Sequence, residues 1–234
     1  MVSVLGIETS ASVCAAALVR DGAVVAAERL SMARGHAEAL MPMIERVMRG
    51  VAYANLDAVA VTAGPGAFTG LRIGLAAARG IALAAGIPAI GVSAFAALAA
   101  GIPPAARRDR AIAVAIDTKR GDVYLQSFDA RLAPLGPGRV AGAAELAALL
   151  PSGPLYVAGD GARLVAAALP AGSRDIAWAQ DLTAPDAGVV AVLGAEMLAA
   201  ARRAGAPLLP PEPLYLRAPE ATPLALQGKV RKAQ

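Results

Sequence analysis

The run Gly64-Pro65-Gly66-Ala67-Phe68-Thr69-Gly70-Leu71-Arg72-Ile73-Gly74 holds the densest set of residues that could meet a ligand. Gly64 and Gly66 admit backbone angles closed to other residues. A helix starting just beyond them would present unpaired N–H groups, with Thr69 and Arg72 close by, so an anion could dock there. The run is neither a Walker loop nor a GxGxxG fingerprint, because it lacks the Lys-Ser/Thr ending and the required glycine spacing. A second reading fits the same residues equally well. Gly70, Gly74 and Ala78 stand four apart and would form a smooth stripe on which another helix could approach closely. The turn Glu8-Thr9-Ser10-Ala11-Ser12 is the other candidate: its Thr9 and Ser10 hydroxyls and free N–H groups could face phosphates, or could simply satisfy their own backbone.

Other chemistries find little to work with. His36 is the single imidazole and Cys14 the single thiol, so no His-pair metal site, Ser-His-Asp triad or disulfide framework can be assembled. No G-x-S-x-G nucleophile elbow occurs. Asp117, Asp122 and Asp160 could face a cleft, but each sits where strand-end turns ordinarily carry Asp.

The elements that must position these residues follow from apolar periodicity. Residues 2–7, 13–19 and 23–27 read as three consecutive antiparallel strands, the last two joined by the tight-turn dipeptide Asp21-Gly22. Residues 36–50 read as a helix, because Leu40, Met43, Ile44 and Val47 recur at helical spacing. A strand at 58–62, a helix at 71–85, a strand at 89–92 and a short helix at 94–100 complete the order βββαβαβα. After Pro103-Pro104 and the charged Arg107 to Arg110 the pattern restarts. Strands at 111–116 and 122–128 are followed by a helix at 143–150, a strand at 155–158, a helix at 162–169, a strand at 176–179 and a helix at 188–203. Ile7-Glu8-Thr9 closes the first strand and Ile116-Asp117-Thr118 closes its counterpart 109 positions later, an internal repeat. Two such halves imply a duplicated α/β fold of the actin and sugar-kinase type, with a cleft between two domains at 1–104 and 105–234. The last helix could pack back on the first domain. A single doubly wound sheet is the structural alternative.

Composition narrows the class further. The chain has 234 residues, 57% hydrophobic and 17% charged, which excludes intrinsic disorder. The formal net charge is +4, and the basic residues are dispersed apart from Arg107, Arg108 and Arg110 and a tail with Lys229, Arg231 and Lys232. With aromatics at 3%, no basic surface interleaved with stacking rings is visible, so direct nucleic-acid binding has little support. The uncharged stretch at 80–106 is long enough to cross a bilayer, but its Gly and Pro residues and weak hydropathy predict buried soluble structure in a reducing, cytoplasmic setting.

Five separated motifs carry a family resemblance: Gly6-Ile7-Glu8-Thr9-Ser10, the segment Arg34-Gly35-His36-Ala37-Glu38-Ala39-Leu40-Met41-Pro42, the glycine-rich run, Ile87-Pro88-Ala89-Ile90-Gly91-Val92-Ser93, and Pro213-Leu214-Tyr215-Leu216-Arg217. In this order they resemble the TsaB (YeaZ) family, non-catalytic paralogues of the TsaD/Kae1 glycoprotease-like family with an actin-like (ASKHA) fold. The catalytic relatives carry two metal-binding histidines four apart, and the register of residues 88–92 places Ala94 and Leu98 at those positions. Neither can ligate a metal. The resemblance therefore implies an accessory subunit, without catalytic residues or metal, of the complex that installs threonylcarbamoyl on the adenosine beside the anticodon of tRNAs reading codons that start with A. It implies a heterodimer with TsaD, joint action with the ATPase TsaE and with TsaC, and tRNA contact only through the complex. It implies no cofactor of the chain's own, with room for ATP or ADP at the partner interface near Thr9, Ser10, Gly64, Gly66, Thr69 and Arg72. Glu8 stands where actin-type ATPases have Asp, which argues against independent hydrolysis.

The expected partner face joins His36, Leu40, Met41, Ile44 and Met48 to Gly70, Gly74 and Ala78. The methionines widen the apolar face of the 36–50 helix beyond one stripe, which suits a helix partner, either TsaD or a second copy of this chain. Burial of that helix between sheet and neighbours is the competing reading. A glycoprotease-like metalloprotease and an actin-like ATPase or kinase are the alternatives in function.

Overall fold

The computed structural model describes residues 1–217 apart from Ala171 and Ser173, so the basic tail residues Lys229, Arg231 and Lys232 lie outside the described residues. Strands β1 (Ser3–Ala11), β2 (Val13–Arg20) and β3 (Ala23–Ser31) form an antiparallel meander. Asp21 and Gly22 both take positive φ, 48° and 80°, the backbone a tight hairpin between right-twisted strands requires. Helix α1 (His36–Val47) crosses to β4 (Ala58–Gly64), α2 (Phe68–Ala85) leads to β5 (Ala89–Ser93), and α3 (Ala94–Ala100) ends the half. The sheet order is β3-β2-β1-β4-β5.

The second half repeats this topology with β6 (Ala111–Asp117), β7 (Asp122–Phe128), β8 (Arg139–Gly142), α4 (Ala143–Leu149), β9 (Leu155–Ala158), α5 (Ala162–Ala168) and β10 (Ile176–Trp178). Its order, β8-β7-β6-β9-β10 read from one edge, is that of the first sheet element for element. The duplicated two-domain α/β architecture is thus the one adopted, and the single doubly wound sheet is not. Two local expectations need correction. β3 runs on to Ser31, because Glu28 and Arg29 break the apolar pattern while their backbones stay paired with Ala16 and Ala15 of β2. Strand β8 has no apolar alternation in its four residues and exists because β7 offers its edge, pairing Leu125 with Arg139 through Asp122 with Gly142.

Packing explains where the helices go. α1 and α2 cover one face of the first sheet, where Leu40, Met43, Ile44 and Leu75 meet Leu5, Ile7, Val59 and Val61. The other face is covered by α6 (Ala187–Ala204), which comes from the far end of the chain and packs Val190, Ala191 and Leu198 on Val4, Ala58, Ala60 and Ile90. α6 is started by Asp186, whose carboxylate accepts from the Gly188 and Val189 N–H groups at 2.8 and 3.1 Å. α3 and the turn after it join the halves: Phe95, Leu98 and Ile102 form one cluster with Ile112, Val114 and Phe128 of the second sheet. The uncharged stretch at 80–106 is accordingly divided among the end of α2, β5 and α3. Among the described residues, α2 alone is long and apolar enough to span a membrane by length and composition.

Candidate functional site

The two sheets end their central strands at a common cleft of about 1110 Å³. From the first half it is lined by the β1–β2 turn, the start of α1 and the Pro65-to-Gly70 approach to α2; from the second, by Asp117 to Arg120 and Asp160. The repeat offset of 109 places Asp117, Thr118 and Lys119 opposite Glu8, Thr9 and Ser10, so both halves aim the same hairpin at the cleft.

The two hairpins differ in chemistry. Glu8 is fully buried, and its carboxylate accepts from the Ser10 N–H at 2.5 Å, from the Ser10 hydroxyl at 2.7 Å and from the Thr62 hydroxyl. Burial pushes its pKa up to about 7, against the opposing pull of the Thr62 and Ser10 hydrogen bonds. Asp117 stays partly exposed. Lys119 Nζ bridges it and Asp160 at 3.1 and 2.8 Å, while the Asp117 N–H donates to Asp160 at 2.8 Å. Burial lowers the Lys119 pKa, but the hydrogen bonds it donates to Asp160 and Asp117 outweigh it and the net shift is upward.

Of the expected anion-binding residues, Ser10, Gly66 and Thr69 line the cleft. Thr9 and Ser10 do not offer their hydroxyls: Thr9 Oγ1 donates to the Gly70 carbonyl at 2.8 Å and Ser10 Oγ to Glu8. The competing reading of that turn, in which its hydroxyls are satisfied internally, describes these two side chains. Gly64 takes φ 116°, and a Cβ there would lie 2.9 Å from the Leu214 carbonyl oxygen, so its role is to admit the C-terminal segment. Arg72 does not line the cleft but packs behind two residues that do, its guanidinium 3.7 Å over the Phe68 ring and its Nε donating to Tyr215 Oη at 3.2 Å.

The expected partner face is also corrected. Leu40, Ile44 and Met48 are buried in the core with Leu56, and of the two surplus methionines only Met41 is exposed. His36 is buried at the start of α1 with Nε2 3.3 Å from the Ala11 carbonyl, so it fastens the helix to the β1–β2 turn. The stripe Gly70, Gly74 and Ala78 faces the first sheet. A Cβ on Gly70 would lie 1.9 Å from the Thr9 carbonyl oxygen, and one on Gly74 would lie 2.4 Å from Thr9 Oγ1. Close approach is the right physics, but the neighbour is β1.

This geometry sets up a paired test. Gly70→Ala is expected to destabilise the fold by about 1–3 kcal/mol of overpacking, which outweighs the helix-propensity gain of about 1 kcal/mol. Gly80→Ala, in the same helix with nothing within 4 Å of the new Cβ, keeps the gain alone. Urea unfolding of both variants checks this, and equal stabilisation of the two would remove the packing role of Gly70.

Sequence reasoning overlooked Lys119, Arg120 and Arg217 as cleft residues, although the repeat offset applied to Ser10 points directly to Lys119. α3 places Ala94 and Leu98 in the cleft wall, both buried. Among the described residues no three His, Cys, Asp or Glu side chains cluster as metal donors.

Comparison with known proteins agrees with this architecture. The family model TsaD, tRNA N6-adenosine threonylcarbamoyltransferase, matches residues 26–145. The tRNA threonylcarbamoyladenosine biosynthesis protein TsaB of Escherichia coli is 39% identical over 129 residues, which is 53% of this chain and 54% of that protein, so the match spans about half of its length. An uncharacterised protein of Mycobacterium tuberculosis H37Rv is 35% identical over 230 residues, 96% of each chain. The solved structure of YeaZ from Pseudomonas aeruginosa superposes with a TM-score of 0.74 at 28% identity, covering 92% of this chain and all of that one. With the duplicated actin-like fold in common, the chain belongs to the TsaD family as a TsaB/YeaZ-type paralogue of the transferase.

Proposed function

We propose that the chain is the non-catalytic subunit of the machinery that installs threonylcarbamoyl on the adenosine beside the anticodon of tRNAs reading codons that start with A. The observation that carries this reading is the joint occurrence of the family match and a cleft wall built at α3 from Ala94 and Leu98, whose methyl and isobutyl groups can neither ligate a metal nor move a proton. In this reading the chain binds and stabilises a TsaD-type enzyme, acts with TsaE and TsaC, and meets tRNA only through the complex. Without TsaD, two copies of the chain associate. ATP or ADP bound at the partner interface would meet Gly66 and Thr69 at the start of α2.

The alternatives fit the residues less well. A metalloprotease lacks a donor cluster among the described residues. An ATPase or kinase would need an accessible carboxylate at the first hairpin, where Glu8 is fully buried and fastened to Ser10 and Thr62.

The test is replacement. Expressed with the TsaD of its own genome in a bacterium lacking TsaB, the chain is expected to co-purify with TsaD and to restore threonylcarbamoyladenosine, read by mass spectrometry of tRNA nucleosides. Absence of both would overturn the proposal. The partner contact should use what α1 and α2 leave exposed, including Met41, Phe68 and Leu83. Met41→Glu sets an unpaired carboxylate in that contact and is expected to weaken TsaD binding by at least about tenfold, roughly 1.4 kcal/mol, in calorimetry. Undiminished binding would move the contact off α1.

A further inference from the structure

The segment that follows α6 is bound to both halves of the molecule, and its attachments differ in kind. On the first half they are extensive. The Arg79 guanidinium donates to the Pro211 carbonyl, the Leu214 N–H donates to the Ala63 carbonyl of β4 at 2.7 Å, and the Tyr215 ring stacks on Phe68 with centroids 5.5 Å apart while its hydroxyl accepts from Arg72. Gly64 and Gly91 give it room: added Cβ atoms would lie 2.9 Å from the Leu214 oxygen and 2.9 Å from Pro211 Cβ. Leu216 then joins the apolar cluster shared by α3 and the second sheet. On the second half, among the described residues, the polar attachment runs from Arg217 to Asp122, at the base of the cleft hairpin. Asp122 is itself tied to Thr118, whose hydroxyl donates to its carbonyl at 3.1 Å and to its carboxylate. Tyr215 and Arg217 both line the cleft.

We infer that residues 211–217 are an interlobe strap that sets the opening of the cleft, with the Arg217–Asp122 ion pair as its releasable end. The floor of the cleft is closed by the packed α3 cluster, which permits a small rotation of one half on the other but not separation. At the mouth, Arg217 resists that rotation. Both side chains of the pair are only about a quarter exposed, 25% and 22%, so water screens the contact less than it would a surface pair. The first-half attachments combine backbone hydrogen bonding, stacking and apolar burial. Breaking the ion pair therefore leaves the second half held only by Leu216 in the shared apolar cluster, which tolerates small rotations, while the strap stays seated on the first. The inference concerns the chain by itself and does not depend on any partner.

Distance measurement between spin labels tests it. Cysteines introduced at Ala37, on the cleft rim of α1, and at Arg163, in the first turn of α5, accept nitroxide labels, whereas the native Cys14 is buried and does not. The parent is expected to give one narrow distance distribution. Arg217→Ala should broaden it and lengthen its mean by several ångströms, with Arg217→Lys retaining most of the parental distribution. An unchanged distribution in folded Arg217→Ala would overturn the strap. If that variant does not fold, Asp122→Asn decides the matter, because it keeps an acceptor for Thr118 and removes the charge that holds Arg217. Broadening then supports the strap and a parental distribution refutes it.

Discussion

Met48→Glu is expected to leave the chain unfolded or marginal at neutral pH, while Met41→Glu folds like the parent. The two methionines stand seven residues apart, which on an ideal helix puts them on nearly one face. Met41 is 42% exposed and Met48 only 3%. A carboxylate at position 48 would enter a cluster of Leu40, Ile44, Val47 and Leu56 that offers it no charged partner. Whether it stays ionised or takes up a proton, the cost is on the order of 3–5 kcal/mol. Against a typical stability of about 5–15 kcal/mol that is enough to populate the unfolded state. At position 41 the new charge keeps its water, and the folding cost is within about half a kcal/mol. Urea unfolding followed by circular dichroism separates the cases. A loss below about 1 kcal/mol for Met48→Glu would return Met48 to the surface.

The second large effect is a pH dependence set by Glu8. Its carboxyl has an ordinary value of 4.5 in the unfolded chain and about 7 in the fold, because burial disfavours the ionised form more than the Ser10 and Thr62 hydrogen bonds favour it. A raised carboxylate value means that this group's contribution to stability is complete below about pH 4.5. It declines as pH rises through the window from 4.5 to 7 and is lost above it. The size of the decline is on the order of 3 kcal/mol, because each tenfold change in proton affinity is worth about 1.4 kcal/mol. Glu8→Gln has nearly the same shape and is neutral throughout. The variant should match the parent near pH 4.5 and exceed it by up to that amount above pH 7, with a flat profile in between where the parent falls. Unfolding curves collected across this range decide it, and parallel profiles for the two proteins would show that Glu8 takes up its proton in the fold as it does in the unfolded chain.

How far the sequence reaches can be judged residue by residue. β1 and β2 were legible because they are short apolar runs, and the Asp21-Gly22 turn is a local signal that needs no distant partner. The glycine-rich run was recognisable as a strand-to-helix turn for the same reason. Its purpose was not, since four-residue spacing says that something approaches closely without saying whether it is a helix of another chain or the β1 backbone. Strand β8 and the end of β3 escaped because their strand character comes from pairing with β7 and β2, not from their own side chains.

By itself the sequence determined the order of elements apart from β8, the duplication announced by Glu8-Thr9 and Asp117-Thr118, and the absence of a second imidazole or thiol, since these rest on local propensity and on counting. Only the tertiary structure decided the rest. It buried Met48 among the core side chains while leaving Met41 in water, and it brought Thr62 across 54 positions to the Glu8 carboxyl. It also laid Leu214 to Arg217 across the cleft. The reason is the same in each case. Burial and hydrogen bonding depend on which surfaces meet, and surfaces far apart along the chain are matched by packing of the whole molecule, which no local window contains.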